Sequence, residues 1–300
     1  MRTPFTGVGT ALVSPFTRSG SLDEAAVRRL ARRQIDAGVH FLCPCGTTGE
    51  SPTLTDAERL RTVEIIADEA NGKVPVLAGA GGYDTKEVQH LASEMQKAGA
   101  SGLLSVTPYY NKPTQEGLYQ HYRAIAEHTS LPIIVYNVPG RTGVNVEAAT
   151  LVRLAAVPHI VGVKEASGNV TQMCEICRAV PPDFLVLSGD DALTLPLMAV
   201  GGRGIISVAG NEIPGEMVQM VEAAERNDFA AARGIHARIL PLMLVNFVES
   251  NPIPVKAAMA AMGLLEEVYR SPMCPPRPES KEKIVRVLKE MDLLKPAFVR

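Results

Sequence analysis

The chain has 300 residues, 46% of them apolar, and a formal net charge of -2. That composition supplies a large core and gives no electrostatic case for nucleic acid or an anionic membrane as partner. No run of about 18 apolar residues occurs, which argues against a membrane-spanning helix. Residues 1–20 carry Pro4, Gly7, Gly9, Pro15 and Arg18 rather than a basic start and an apolar signal core, so a cytoplasmic protein is expected.

Short β-forming runs alternate with stretches of helical period. Gly9–Val13 is the first strand. The helix after it spans Leu22–Ala37, with Leu22, Ala26, Leu30 and Ile35 on one side and Ser21 and Glu24 as a capping box. Strand Val39–Cys45 precedes helix Thr55–Ala70, where Thr55 and Glu58 repeat that device. Strands Val74–Ala78, Gly102–Val106 and Ile133–Asn137 lead into helices Thr85–Ala98, Gln115–Thr129 and Val146–Leu154. Strands Ile160–Lys164, Phe184–Ser188 and Gly204–Val208 lead into helices Val170–Arg178, Ala192–Val200 and Pro214–Glu225. From Asp228 strand signals stop. Phe229–Phe247, Val255–Met262 and Glu279–Met291 read as helices, separated by the turn Asn251-Pro252-Ile253-Pro254 and the breaker-rich stretch Ser271–Pro276.

Eight strand–helix units with apolar strands predict the α/β class, a parallel sheet covered by helices. Their size favours closure into a (β/α)8 TIM barrel over residues 1–227, with a C-terminal three-helix appendage over 228–300. An open doubly wound sheet is the alternative, but its phosphate fingerprint is missing: Asp84 stands where Gly79-Ala80-Gly81-Gly82 should be followed by a spaced glycine.

The five cysteines suit a reducing compartment. Cys43 and Cys45 are expected on one face of a strand, and Cys174 and Cys177 one turn apart on a helix. Zinc is the alternative to small buried apolar side chains, yet neither pair sits on a knuckle turn. The six histidines show no close His-x-His pair; His121 and His128 share a helix face that reads as solvated. No metal is expected.

Lys164 stands out because an ammonium at the end of the apolar run Ile160–Val163 is costly to desolvate. A lysine so placed tends to become an amine nucleophile able to form a Schiff base with a ketone. The plain alternative is a lysine leaving the strand for solvent. In a barrel the catalytic groups gather at the C-terminal strand ends. Those ends also carry Gly46-Thr47-Thr48-Gly49-Glu50, Tyr109-Tyr110, Tyr136-Asn137, Arg141-Thr142, Gly189 and Ile206. Together they offer hydroxyls and phenols that pass protons, and a guanidinium suited to a carboxylate. Asp190 and Asp191 read as caps of the following helix.

These segments resemble the dihydrodipicolinate synthase family, among the pyruvate-dependent class I aldolases that include N-acetylneuraminate lyase. Gly46–Glu50 and Tyr136-Asn137 look like features of the whole superfamily. Pro139-Gly140-Arg141-Thr142, Tyr109-Tyr110 and Lys164–Gly168 look like the synthases specifically. The resemblance implies a lyase condensing pyruvate with L-aspartate 4-semialdehyde in lysine and diaminopimelate biosynthesis, with no cofactor beyond a covalent imine of pyruvate with Lys164. It implies Tyr136 as proton shuttle, Thr47 as the link from Tyr136 to Tyr110, Thr48 on the pyruvate carboxylate and Arg141 on the semialdehyde carboxylate. Gly189 and Ile206 would shape the pocket. It further implies a homotetramer, a dimer of dimers, with Tyr110 lent across the tight dimer.

Relatives inhibited by L-lysine bind it near the second and third βα loops. Ser51, Glu87 and Tyr109 match that pattern, whereas Asp56, Arg59 and Tyr83 depart from it. Weak or absent lysine inhibition is therefore expected. Two other functions remain to be separated from the synthase. A 2-keto sugar acid aldolase or dehydratase using the same lysine would be told apart by substrate assays. A barrel that has lost catalysis would leave Lys164 unlabelled by pyruvate and borohydride.

Overall fold

The computed structural model describes residues 4–294. The outermost parts of both expected segments, 1–3 and 295–300, lie outside the described residues. Eight strands form one parallel sheet: β1 (Gly7–Ala11), β2 (Phe41–Cys43), β3 (Leu77–Gly79), β4 (Gly102–Val106), β5 (Ile133–Asn137), β6 (Ile160–Glu165), β7 (Leu185–Ser188) and β8 (Gly204–Ser207). The order β2-β1-β8-β7-β6-β5-β4-β3 is joined at its ends by a parallel bridge from Leu42 to Val76. The sheet therefore curls into a TIM barrel, and the open doubly wound alternative is excluded.

Alternation along each strand sorts side chains into two cores. Leu42, Leu103, Ile133, Val135, Val163 and Ile205 face outward and pack with the helices. Cys43, Leu77, Leu104, Ile134, Tyr136, Leu187 and Ile206 fill the interior. Phe5 and Phe41 lie among them, edge to face at 5.5 Å. A Cβ on Gly9 would lie 2.0 Å from the Phe41 ring, so this strand position accepts only glycine.

Strand β6 breaks the alternation. Ile133 pairs with Ile160 but Ile134 pairs with Gly162, so Val161 is an extra residue. Ile160 faces outward and Val161 inward, yet Val163 faces outward again. The bulge flips the remainder of the strand and turns Lys164 into the barrel.

The helices keep their expected order, with ends moved by a few residues. The first spans Glu24–Asp36, and its cap is Asp23, which accepts from the Ala26 N–H at 2.9 Å. The expected Ser21 box does not form, because Ser21 belongs to the preceding turn, where its carbonyl accepts from the Thr17 N–H. The Asp56–Ala70 helix does carry the Thr55–Glu58 box. Helices Phe229–Val245, Ile253–Ala261 and Pro278–Glu290 follow the barrel. Ile239, Leu242, Ile284 and Leu288 from them join the outer core. No helix of the described residues is long and apolar enough to cross a membrane.

Three side-chain expectations are corrected. Cys43 faces the barrel interior, but Cys45 joins the outer core, because β2 ends at Cys43 and Cys45 adopts φ 59°. Cys174 and Cys274 are exposed rather than buried. His121 is buried, its Nδ1 2.8 Å from the Thr85 hydroxyl, while His128 lies past the helix, which ends at Ala126. These two histidines do not form a solvated face.

Candidate active site

Tyr136 on β5 and Lys164 on β6 are register partners, and both point into the barrel. The Lys164 Nζ lies 4.3 Å from the centroid of the Tyr136 ring. Lys164 is 5% exposed and takes part in no ion pair among the described residues. Its neighbour Glu165 is turned away and fully buried. That carboxylate accepts from the Asn137 amide at 2.9 Å, the Ser167 N–H at 2.7 Å and the Gln172 amide at 3.2 Å. A buried amine with no carboxylate partner, set beside a phenol, is placed to act as a nucleophile.

Space for the lysine stem comes from β7. A Cβ on Gly189 would meet Ala166 Cβ at 2.5 Å and Lys164 Cε at 3.0 Å. The Gly189 N–H donates to the Glu165 carbonyl at 2.8 Å, fixing this close approach. Ile206 from β8 is fully buried in the same interior cluster. Cys43, at the end of β2, sits near enough to feel the Lys164 charge, but burial dominates and pushes its thiol up to about 12. It remains a protonated, inert filler.

Above Tyr136 opens a cavity of about 250 Å³, lined among others by Thr47, Ser51, Arg59, Tyr109 and Arg141. Thr48, next in the chain to the lining residue Thr47, is buried and accepts from the Asn251 side-chain amide at 2.9 Å. Its hydroxyl proton is thus free to donate. Arg141 donates from Nη2 to the Asn251 carbonyl at 3.1 Å. Tyr110 does not join this group within one chain: it is 92% exposed, with φ 69°.

The residues expected to hold lysine lie on the rim. Arg59 donates from Nε (3.1 Å) and Nη2 (2.7 Å) to the Ser51 carbonyl, and its Nη1 lies 3.4 Å from Asp56 Oδ1. Tyr83 and Tyr109 meet edge to face at 5.3 Å. Burial, then the neighbouring Tyr83, raises the Tyr109 phenol above its ordinary value. Glu87 is exposed on the next helix.

Asp191 is not a helix cap. Its buried carboxylate accepts from the Ser207 hydroxyl and from the Val208 and Ala209 N–H groups at 3.0 and 3.1 Å, tying the end of β7 to that of β8. Asp190 alone makes a local turn, accepting from the Ala192 N–H at 2.9 Å. Burial raises the Asp191 carboxyl despite these donors.

Asn251, Glu50 and Lys256 carry more of the site than their sequence setting indicated. Asn251 read only as part of a turn. Lys256 lies in the apolar run Ile253–Ala261, the same signal that singled out Lys164. It is fully buried and paired with Glu50. No group of three or more His, Cys, Asp or Glu that could hold a metal occurs among the described residues.

A parallel barrel with an unpaired inward lysine beside a tyrosine, beneath a cavity at the strand ends, defines a lyase of the class I aldolase type. The Dihydrodipicolinate synthetase family matches residues 4–291, and the chain belongs to it. A 4-hydroxy-tetrahydrodipicolinate synthase from Koribacter versatilis is 52% identical over 294 residues, 98% of each chain. The dihydrodipicolinate synthase structure from Thermotoga maritima superposes with a TM-score of 0.95 at 45% identity, covering 97% of this chain and 100% of that one. A structure described as the first monomeric dihydrodipicolinate synthase variant also gives 0.95, at 46% identity, covering 97% and 98%.

Proposed function

We propose that this chain condenses pyruvate with L-aspartate 4-semialdehyde to 4-hydroxy-2,3,4,5-tetrahydrodipicolinate, the first committed step of lysine and diaminopimelate biosynthesis. The observation that carries the reading is the Lys164–Tyr136 pair at the strand ends, in a chain similar to the synthases over nearly its whole length.

The Lys164 amine attacks the keto carbon of pyruvate and water leaves, giving an iminium. Its positive nitrogen acidifies the adjacent methyl group, and Tyr136 as phenolate takes a proton to leave an enamine. The enamine carbon attacks the aldehyde, and Tyr136 returns the proton to the new alkoxide. The amino group of the semialdehyde then adds to the iminium carbon and expels Lys164 as the ring closes. No external cofactor enters these steps.

Thr48 and nearby backbone N–H groups take the pyruvate carboxylate, and Arg141 takes that of the semialdehyde. Thr47, lining the same cavity as Tyr136, connects it to a Tyr110 from a neighbouring copy. The exposure of Tyr110 in one chain supports that loan, and a tetramer built from two tight dimers is the assembly proposed with it. The helices after residue 228 form a supporting unit through Asn251 and Lys256. L-lysine is a weak inhibitor or none, because Arg59 brings a positive charge to the rim where it would bind.

Borohydride reduction in the presence of pyruvate, followed by peptide mass mapping, tests the nucleophile and first substrate. Added mass on Lys164 is the expected result; an unlabelled Lys164 overturns the reading. Turnover of aspartate semialdehyde, compared with 2-keto sugar acids, tests the second substrate.

A further inference from the structure

The loop from Gly46 to Glu50 ends on an unusual residue. Glu50 adopts φ 51°, the left-handed region that non-glycine residues enter at a cost of about 1 kcal/mol. Its side chain is 1% exposed, and Oε1 accepts from Lys256 Nζ at 2.5 Å. Oε2 accepts from the Arg270 N–H at 3.4 Å. Lys256 has no exposed side-chain surface, and its Nζ faces the rings of Phe16 at 4.3 Å and Tyr269 at 5.3 Å.

A buried ion pair adds little net stability, because desolvating both charges offsets their attraction. Here it also coincides with a strained backbone. Both costs fall at the foot of the loop that carries Thr47 and Thr48.

Three further contacts hold the same region. Ser14 donates to the Gly49 carbonyl at 2.6 Å, the Asn251 amide donates to Thr48 Oγ1, and Arg141 donates to the Asn251 carbonyl. The segment from Asn251 to Lys256 thus grips the β2 loop at two points and Arg141 at a third.

We propose that the buried Glu50–Lys256 pair, with Asn251, is a positioning device that sets the Gly46–Glu50 loop so that Thr48 meets the pyruvate carboxylate. Glu50, Asn251 and Lys256 touch no substrate; they act through Thr47, Thr48 and Arg141. This rests on the synthase reading, since it names pyruvate as the ligand the loop awaits.

The test uses the full-length protein and Glu50→Gln, Lys256→Met, the double variant E50Q/K256M and Asn251→Asp. The double variant leaves no unpaired buried charge, so it folds where a single one does not. The readouts are the pyruvate concentration half-saturating borohydride trapping, the KM for pyruvate, kcat and the thermal midpoint. Expected is a rise of about tenfold in both pyruvate constants, larger than the fall in kcat, in E50Q/K256M and N251D. The pyruvate constants of the double variant stay high even where its thermal midpoint returns to that of the parent. Folded variants with unchanged pyruvate constants overturn the device and leave a merely structural pair. If the parent protein itself traps no pyruvate, the synthase reading fails instead.

Discussion

Tyr136 and Lys164 face each other across neighbouring strands, the amine 4.3 Å from the centre of the phenol ring. Tyr136 lines the cavity and the amine stands against its ring, so the proton carrier and the nucleophile are immediate neighbours. Replacing Tyr136 with Phe keeps that packing and removes only the hydroxyl. Turnover should drop about 100-fold or more, while pyruvate still traps on Lys164. Steady-state kinetics beside mass mapping checks this; near-parental turnover would remove Tyr136 from proton transfer.

Gly189→Ala should injure the site through Lys164. The added methyl would sit 3.0 Å from Lys164 Cε and 2.5 Å from Ala166 Cβ, so the stem must shift or β7 must move. Overpacking of this kind costs about 1–3 kcal/mol. A displaced amine forms the imine at least about tenfold more slowly. The rate of pyruvate-dependent borohydride labelling measures it, and parental labelling in a folded variant would refute it.

Acid should weaken the fold partly through His121. Burial holds this imidazole down to about 4, against an ordinary 6.5, with Asp84 opposing the shift. Its Nε2 is buried without a partner. Between these values the unfolded chain binds a proton that the fold excludes. The contribution is therefore complete above pH 6.5 and is lost as pH falls towards 4, by about 3 kcal/mol at most. Urea midpoints across that window should slope less in a His121→Gln variant; an identical slope would contradict the assignment.

L-lysine should inhibit weakly. Arg59 already occupies the Ser51 carbonyl with two N–H donors, and Asp56 offsets only part of its charge at 3.4 Å. A cationic ligand meets a filled acceptor and a like charge. Half-maximal inhibition below about 1 mM lysine in a coupled assay would refute this.

The barrel was readable because its signal is repeated: apolar runs, helical periods and turn residues recur eight times, and errors of a few residues at each end do not alter the count. Strand ends were readable for the same reason, which is how Lys164, Tyr136 and Thr47 came to attention. Side-chain direction was less so. Cys45 left the strand face because a left-handed backbone followed Cys43, and Asp191 turned towards Ser207 across a strand gap that local capping rules do not see. Long-range pairs were hidden altogether. The separation of 206 positions between Glu50 and Lys256 leaves no trace of their contact in either neighbourhood. Lys256 nevertheless met the criterion applied to Lys164, an ammonium in an apolar run, and only the fold tells the neutralised cation from the unpaired one.

The surplus residue in β6 has an all-or-none character. Were the strand drawn flat through Val161, even alternation from Ile160 would send the amine of position 164 outward among the helices, leaving the tube's outline intact but chemically mute. Reactivity here hangs on the parity of a count along one strand, something no gradual change of side-chain size or polarity can imitate.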